Sequence, residues 1–133
     1  MFRIHWGNER RRFQRLSVNL SVFYRVRTPL FVRLMVDDQE IEAITIDICE
    51  GGMALLTDYN IPEQSVLAVK FILFRFDREG LVSFNDPVEV TADVCSNTFV
   101  RDDRYRLGIC FRKMDQANKS HISDFVESTL KPA

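Results

Sequence analysis

Apolar and polar residues alternate along most of this chain, and that alternation is typical of half-buried β-strands. The stretch 66–74 differs, because it is apolar on both faces except at Lys70. A central strand, or one covered outside by a helix, would have that composition. Clusters of Gly, Asp and Pro separate the runs and mark turns, so the pattern predicts five to seven strands. The apolar positions of the alternating runs, which we expect to face the interior, are Leu20, Val22, Tyr24, Val26, Ile44, Ile46, Ile48, Val88, Val90, Ala92, Val94, Leu107, Ile109 and Phe111.

The period changes only near the carboxyl end. There the apolar residues recur at helical spacing, and either Asp115 or Ser120 is suited to cap a helix over about 115–130. Several antiparallel strands followed by one amphipathic helix predict a β-barrel with the helix packed on it. The helical positions are Ile122, Phe125, Val126, Thr129 and Leu130.

Length and composition limit the possible classes of protein. The 133 residues suit one domain, and no apolar run is long enough to cross a membrane, so we expect a cytoplasmic protein. The three cysteines Cys49, Cys95 and Cys110 form no Cys-x-x-Cys pair, and His5 and His121 lie near opposite ends. We therefore expect reduced thiols and no metal site.

The net charge of −1 hides a strong asymmetry. Residues 1–33 contain eight arginines and one acid, a charge of +7, whereas the remainder contains ten basic and eighteen acidic side chains, a charge of −8. A basic start on an acidic body favours a local anion site over a broad surface for polyanions.

Four arginines, Arg10, Arg11, Arg12 and Arg15, precede the first strand. A guanidinium presents paired donors that match phosphate oxygens or the O6/N7 edge of guanine. Ordering six such residues costs about 6–12 kcal/mol, and one charge-assisted hydrogen bond returns only about 1.5–3 kcal/mol. Several arginines acting on one ligand could hold the segment, although a solvated basic arm or a loose nucleic-acid contact would have the same composition.

A second motif runs from Asp47 to Gly52, where one strand ends and the next begins. If Ile46 and Ile48 point inward, Asp47 and Cys49 point to the exterior of the barrel. An outward carboxylate can accept two hydrogen bonds from the guanine edge, and glycine lets a flat ligand approach the backbone. A hairpin with an Asp-stabilised turn and a glycine bulge explains the same residues structurally.

Together, the two motifs resemble the PilZ domains, which are bacterial receptors for the second messenger cyclic di-GMP. Arg11 and Arg15 match the family's Arg-x-x-x-Arg, and Asp47 to Gly52 matches its (Asp/Asn)-x-Ser-x-x-Gly. Residues 105–111 resemble the closing strand. The resemblance covers about residues 9–130 and implies a six-stranded antiparallel split β-barrel with a C-terminal helix. On this view residues 1–9 are a flexible arm and residues 10–133 are the domain.

The resemblance also implies a function and a set of ligand-binding residues. Arg11 and Arg15 would contact guanine edges and phosphates, Asp47 and Cys49 would recognise a guanine, and Gly52 would give clearance. Arg10, just before the first motif, implies a stacked ligand dimer. The family's serine is Cys49 here, and a thiol is a weaker hydrogen-bonding group than a hydroxyl.

We therefore expect a cyclic di-GMP receptor of the kind that regulates motility or biofilm formation. Its mobile N-terminal segment, residues 1–15, would become ordered on the ligand and create a surface for a partner protein, with no cofactor required. An enzyme is not expected, because no nucleophile has an evident neighbouring base. Two alternatives stay open: a degenerate PilZ-like protein-interaction module that does not bind the nucleotide, and a nucleic-acid-binding barrel.

Overall fold

Six strands and two helices make up the part of the fold that the structure describes. A computed structural model describes residues 16–76, 79 and 82–130. The elements are β1 (Leu16–Thr28), α1 (Leu30–Met35), β2 (Ile41–Cys49), β3 (Gly52–Thr57), β4 (Val66–Phe76), β5 (Val82–Arg101), β6 (Arg104–Phe111) and α2 (Gln116–Leu130). The strands form one closed barrel in the order β1-β2-β3-β6-β5-β4, and every neighbouring pair is antiparallel. The predicted fold class, a six-stranded antiparallel barrel with a C-terminal helix, is confirmed.

Alternating side chains of the strands fill the barrel, as the period of two predicts. Tyr24 of β1, Leu67 of β4 and Leu107 of β6 are each at most 1% exposed. In β4, every second side chain is buried in the barrel. On the outer face of this strand, Ile72 is 45% exposed, and α2 packs against another part of the strand. Closure leaves no strand edge unpaired, so the two faces of each strand decide which residues reach solvent.

The side-chain directions predicted for β2 were wrong in the first half of the strand. Ile44 is 41% exposed and Ile46 is only half-buried, whereas the interior positions are Ile41, Ala43 and Thr45. The reason is a β-bulge: Thr45 pairs with Leu55 of β3, but Asp47 pairs with Ala54, so Ile46 is an extra residue. Such an extra residue reverses the faces of the strand beyond it. Ile48 therefore does point inward, as predicted.

The two helices lie outside the barrel. Asp115 caps α2, since its carboxylate accepts a 2.8 Å hydrogen bond from the backbone N–H of Asn118, and Ile122, Phe125 and Val126 of α2 are buried. The short helix α1 was not predicted. It buries only Val32, while its other large apolar side chains stay 59–66% exposed. The six residues of α1 therefore show no separation into an apolar and a polar face from which a helix could be predicted. Within the described residues, no helix has both the length and the apolar character needed to cross a membrane.

Tyr24 links the core to stability at high pH. Its hydroxyl lies 2.8 Å from Oγ1 of Thr57, and burial raises the pKa of Tyr24 to about 12. Because the folded pKa exceeds the ordinary value of about 10, the folded state favours the neutral phenol. Its contribution to stability is complete below about pH 10 and is lost as the pH rises through 12, a change on the order of 2–3 kcal/mol.

We expect the free energy of unfolding in urea to fall more steeply above about pH 10 in the wild type than in Tyr24→Phe. Phenylalanine keeps the ring but has no proton to lose. Equal slopes in the two proteins would show that Tyr24 does not titrate across this range.

Candidate functional site

The β2–β3 turn places Asp47, Cys49 and Gly52 on the outer face of the barrel. Cys49 pairs with Gly52, and Ile48 pairs with Met53. Ile48 and Met53 are at most 1% exposed and belong to the core, so the residues beside them point away from it. The three motif residues in the described part of the chain therefore lie on adjoining strands of a single face.

Small residues continue this face across β3 and β6. Asp47 pairs with Ala54, which in turn pairs with Gly108, while Gly52 pairs with Cys110. The side chains in this part of the face are small, although Ala54 is only 1% exposed and Gly52 is buried. Asp47 and Cys49 are likewise only 0% and 4% exposed, a burial that the alternation of apolar and polar residues does not predict.

Arg106 is a site residue that sequence reasoning missed. Its Nη2 lies 3.6 Å from Oδ2 of Asp47, and its side chain is 25% exposed. A ligand that approaches the Asp47 carboxylate therefore also meets the Arg106 guanidinium. No local signal could have found this pair, because the two residues are brought together only through the β2–β3 and β3–β6 pairings.

Gly52 has a structural role in addition to any role in binding. A Cβ at this position would overlap the backbone carbonyl oxygen of Ile109 and lie 3.3 Å from Cα of Cys110. Only glycine lets β3 and β6 approach this closely, so the glycine of the motif is required by the barrel itself.

Charged groups border the face on the side of β5. Arg112 donates hydrogen bonds of 2.8 and 3.0 Å to the two carboxylate oxygens of Asp93, which pairs with Cys110. These bonds hold the pKa of Asp93 below its usual value. Arg112 is therefore held in place by an acid on the neighbouring strand, although both side chains are too exposed for a strong ion pair.

A cavity of about 310 Å³ opens beside the turn, next to Glu50 and Gly51, and three cations, Arg112, Lys113 and Lys119, contribute to its lining. A larger groove of about 550 Å³ adjoins it, shares Lys113 and Met114 with it, and carries both acidic and basic side chains. Neither includes Asp47 among its lining residues. The cavity beside the turn has a net positive lining and adjoins the motif, which suits an anionic group.

Three predicted ligand-binding residues, Arg10, Arg11 and Arg15, lie outside the described residues. Their position relative to Asp47 therefore stays a prediction. Within residues 16–76, 79 and 82–130, no group of three or more His, Cys, Asp or Glu side chains is arranged to hold a metal ion.

Solved structures share this fold at low sequence identity. The Bacillus subtilis inhibitor of motility (MotI/DgrA) aligns with a TM-score of 0.67 at 14% identity, over 90% of this chain and 51% of that protein. The PilZ domain of YcgR from Escherichia coli, solved with c-di-GMP, aligns with a TM-score of 0.58 at 17% sequence identity, over 90% of both chains. The MrkH–c-di-GMP complex of K. pneumonia aligns with a TM-score of 0.61 at 12% sequence identity, over 91% of this chain and 52% of that protein.

This chain thus spans about half the length of MotI/DgrA and of MrkH. A comparison with curated protein sequences gave no match. The family model of the PilZ domain, by contrast, matches residues 9–128, which include both motifs, all six strands and most of α2. The chain belongs to the PilZ domain family.

Proposed function

We propose that this PilZ domain is a receptor for cyclic di-GMP that signals to a partner protein and catalyses no reaction. The observation that carries the proposal is the outward direction of Asp47, Cys49 and Gly52 on one face, in the order that the family motif requires. Two of the structures that share this fold, the YcgR PilZ domain and MrkH, were solved with c-di-GMP. The cytoplasmic location expected from the sequence stays part of the proposal.

Each residue has a chemical role in this proposal. The Asp47 carboxylate accepts two hydrogen bonds from the N–H groups of a guanine, and the arginines Arg10, Arg11 and Arg15 bind phosphates and the opposite guanine edge. Since Asp47 is fully buried, the guanine can reach it only if its surroundings rearrange. This requirement couples binding to a conformational change, which a receptor needs.

Isothermal titration calorimetry tests the proposal directly. We expect saturable heat with cyclic di-GMP and no comparable binding of GTP, because GTP lacks the second guanine and the cyclic phosphate ring. A trace without binding heat at saturating cyclic di-GMP, checked by equilibrium dialysis, would refute the proposed function. Binding that is lost steeply with salt and shows no preference for guanine would favour nucleic acid instead.

The proposed signal is the ordering of the N-terminal segment on the ligand. Hydrogen exchange in residues 8–16 should slow when the nucleotide binds, because the arginines then hold this segment against the barrel. Equal exchange with and without nucleotide would exclude this mechanism, even if the nucleotide binds.

Arg10 decides the stoichiometry in this proposal. If it supports a stacked pair of nucleotides, Arg10→Leu should reduce the ligand count from two per chain to one in the calorimetric titration. The variant removes the charge and the paired donors of Arg10 and keeps a side chain of moderate size. An unchanged stoichiometry would contradict this role.

Cys49 is the one departure from the family motif. We expect Cys49→Ser to bind cyclic di-GMP at least as tightly as the wild type, with a gain of up to about 1 kcal/mol, because a hydroxyl forms a stronger hydrogen bond than a thiol. Calorimetry on the two proteins measures the difference. A clear loss of affinity in Cys49→Ser would show that the thiol itself is needed.

The same residue favours the second candidate, a degenerate PilZ-like module that acts through protein contacts alone. A buried thiol at the position of the motif serine is what loss of the ligand would leave behind. On this alternative, neither the wild type nor Cys49→Ser binds the nucleotide, so the two titrations together separate the candidates.

A further inference from the structure

Two cysteine side chains meet on the outer surface of the barrel. Sγ of Cys95 in β5 lies 2.7 Å from Sγ of Cys110 in β6, whereas the sulfurs of a disulfide are about 2.0 Å apart. Both residues are free thiols and both are exposed. Cys49, the third cysteine, is buried. The geometry thus singles out one accessible pair of thiols among the three cysteines of the chain.

A β-bulge produces this contact. Val94 pairs with Ile109, and the next pair is Ser96 with Gly108, so Cys95 is an extra residue in β5. A regular antiparallel ladder would set residue 95 opposite residue 108, away from Cys110. The bulge redirects the Cys95 side chain along the outer face, and its thiol donates a hydrogen bond to the Cys110 sulfur.

We propose that Cys95 and Cys110 form a reversible intramolecular disulfide when the protein meets a low-molecular-weight disulfide such as glutathione disulfide. The thiolate of Cys110 attacks one sulfur of glutathione disulfide, forms a mixed disulfide and releases one glutathione thiolate. Cys95, after losing its proton, attacks Sγ of Cys110 and releases the second. In total, two protein thiols and one glutathione disulfide give one protein disulfide and two glutathione thiols.

The hydrogen bond between the two sulfurs supports this order of attack, because the Cys95 thiol is the donor and the Cys110 sulfur is the acceptor. Loss of solvent around its sulfur, followed by the effect of the neighbouring Cys110 thiol, raises the pKa of Cys95 to about 12. Cys95 is therefore almost entirely protonated near neutral pH, and a protonated thiol is not the nucleophile. Once Cys110 carries glutathione, Cys95 is already positioned next to the sulfur that it attacks, so the second step is intramolecular.

The pair also adjoins the candidate ligand-binding face, because Cys110 pairs with Gly52 of the motif. The proposal does not depend on nucleotide binding, however, since it rests only on the two thiols and the bulge that brings them together.

Peptide mapping of the full chain tests the proposal. The reduced protein is incubated with defined ratios of glutathione disulfide to glutathione, quenched with acid, alkylated and digested with trypsin without reduction. Trypsin separates the three cysteines into the peptides 34–70, 79–101 and 107–112. We expect a linked species of peptides 79–101 and 107–112 that increases with the ratio and disappears on reduction, with Cys49 alkylated throughout.

Matched variants control the experiment. Cys95→Ser should trap glutathione on Cys110 as a lasting mixed disulfide, whereas Cys110→Ser should lose the linked species and take up glutathione more slowly. The proposal is overturned if wild-type protein keeps three alkylated thiols at every ratio, or if glutathione stays on Cys110 although Cys95 is present. A link to Cys49, or between two chains, would also overturn it.

Discussion

Replacing Asp47 by alanine is expected to weaken the binding of cyclic di-GMP by about 1–3 kcal/mol, or roughly 5- to 150-fold. The variant removes the acceptor pair that faces the two N–H groups of a guanine edge, so those donors lose their partners on binding. Calorimetric titration of the folded variant measures the loss. Arg15→Ala, which removes a paired donor from the other motif, should cost a similar amount.

A matched control separates this effect from a general effect of charge. Glu42 is an exposed carboxylate on the same strand, and Glu42→Ala should bind like the wild type. Because Asp47 is buried and 3.6 Å from Arg106, the folding of Asp47→Ala must be verified by circular dichroism and thermal unfolding. A folded Asp47→Ala that binds as tightly as the wild type would exclude this carboxylate from the site.

Gly52→Ala is expected to lower the free energy of unfolding by about 1–3 kcal/mol or more. The new Cβ would overlap the carbonyl oxygen of Ile109, and that oxygen belongs to the backbone of a paired strand. It cannot move away unless β3 and β6 separate. Urea unfolding, with the slope compared to that of the wild type, measures the loss.

Gly108 provides the control for this prediction. A Cβ at Gly108 would lie 2.5 Å from Oγ of Ser96, a side-chain atom that can rotate away, so Gly108→Ala should cost less than Gly52→Ala. Adding Ser96→Ala to Gly108→Ala removes that oxygen and should restore part of the lost free energy of unfolding. A Gly52→Ala protein as stable as the wild type would show that the strands adjust here without cost.

Several elements could be predicted because they depend on neighbouring residues along the chain. The alternation through Val22, Tyr24 and Val26 placed these side chains in the core, where the structure has them. Asp102 and Asp103 form one of the Asp clusters that indicate turns, and both residues have positive φ, as a tight hairpin turn requires. The helical spacing near the carboxyl end predicted α2 and, through Asp115, one of its two candidate caps.

Predictions failed where the pairing between strands interrupts the alternation of inward and outward side chains. Ile44, Ile46 and Ile48 look equivalent in the sequence, yet the bulge at Ile46 turns Ile44 outward and leaves Ile48 inward. The outward direction of Asp47 was therefore predicted from a premise that was only half correct. Where a strand carries an extra residue depends on its partners, and alternation within one strand contains no information about them.

The strand period, the C-terminal helix and the two motifs from which the family could be inferred follow from the order of residues along the chain. The tertiary structure alone decided which side chains meet: Arg106 with Asp47, Cys95 with Cys110, and the backbone of Ile109 with Gly52. The physical reason is that hydrophobic patterning acts along a strand over a few residues. The closure of the barrel and the positions of its bulges fix the register between strands that are distant in the chain.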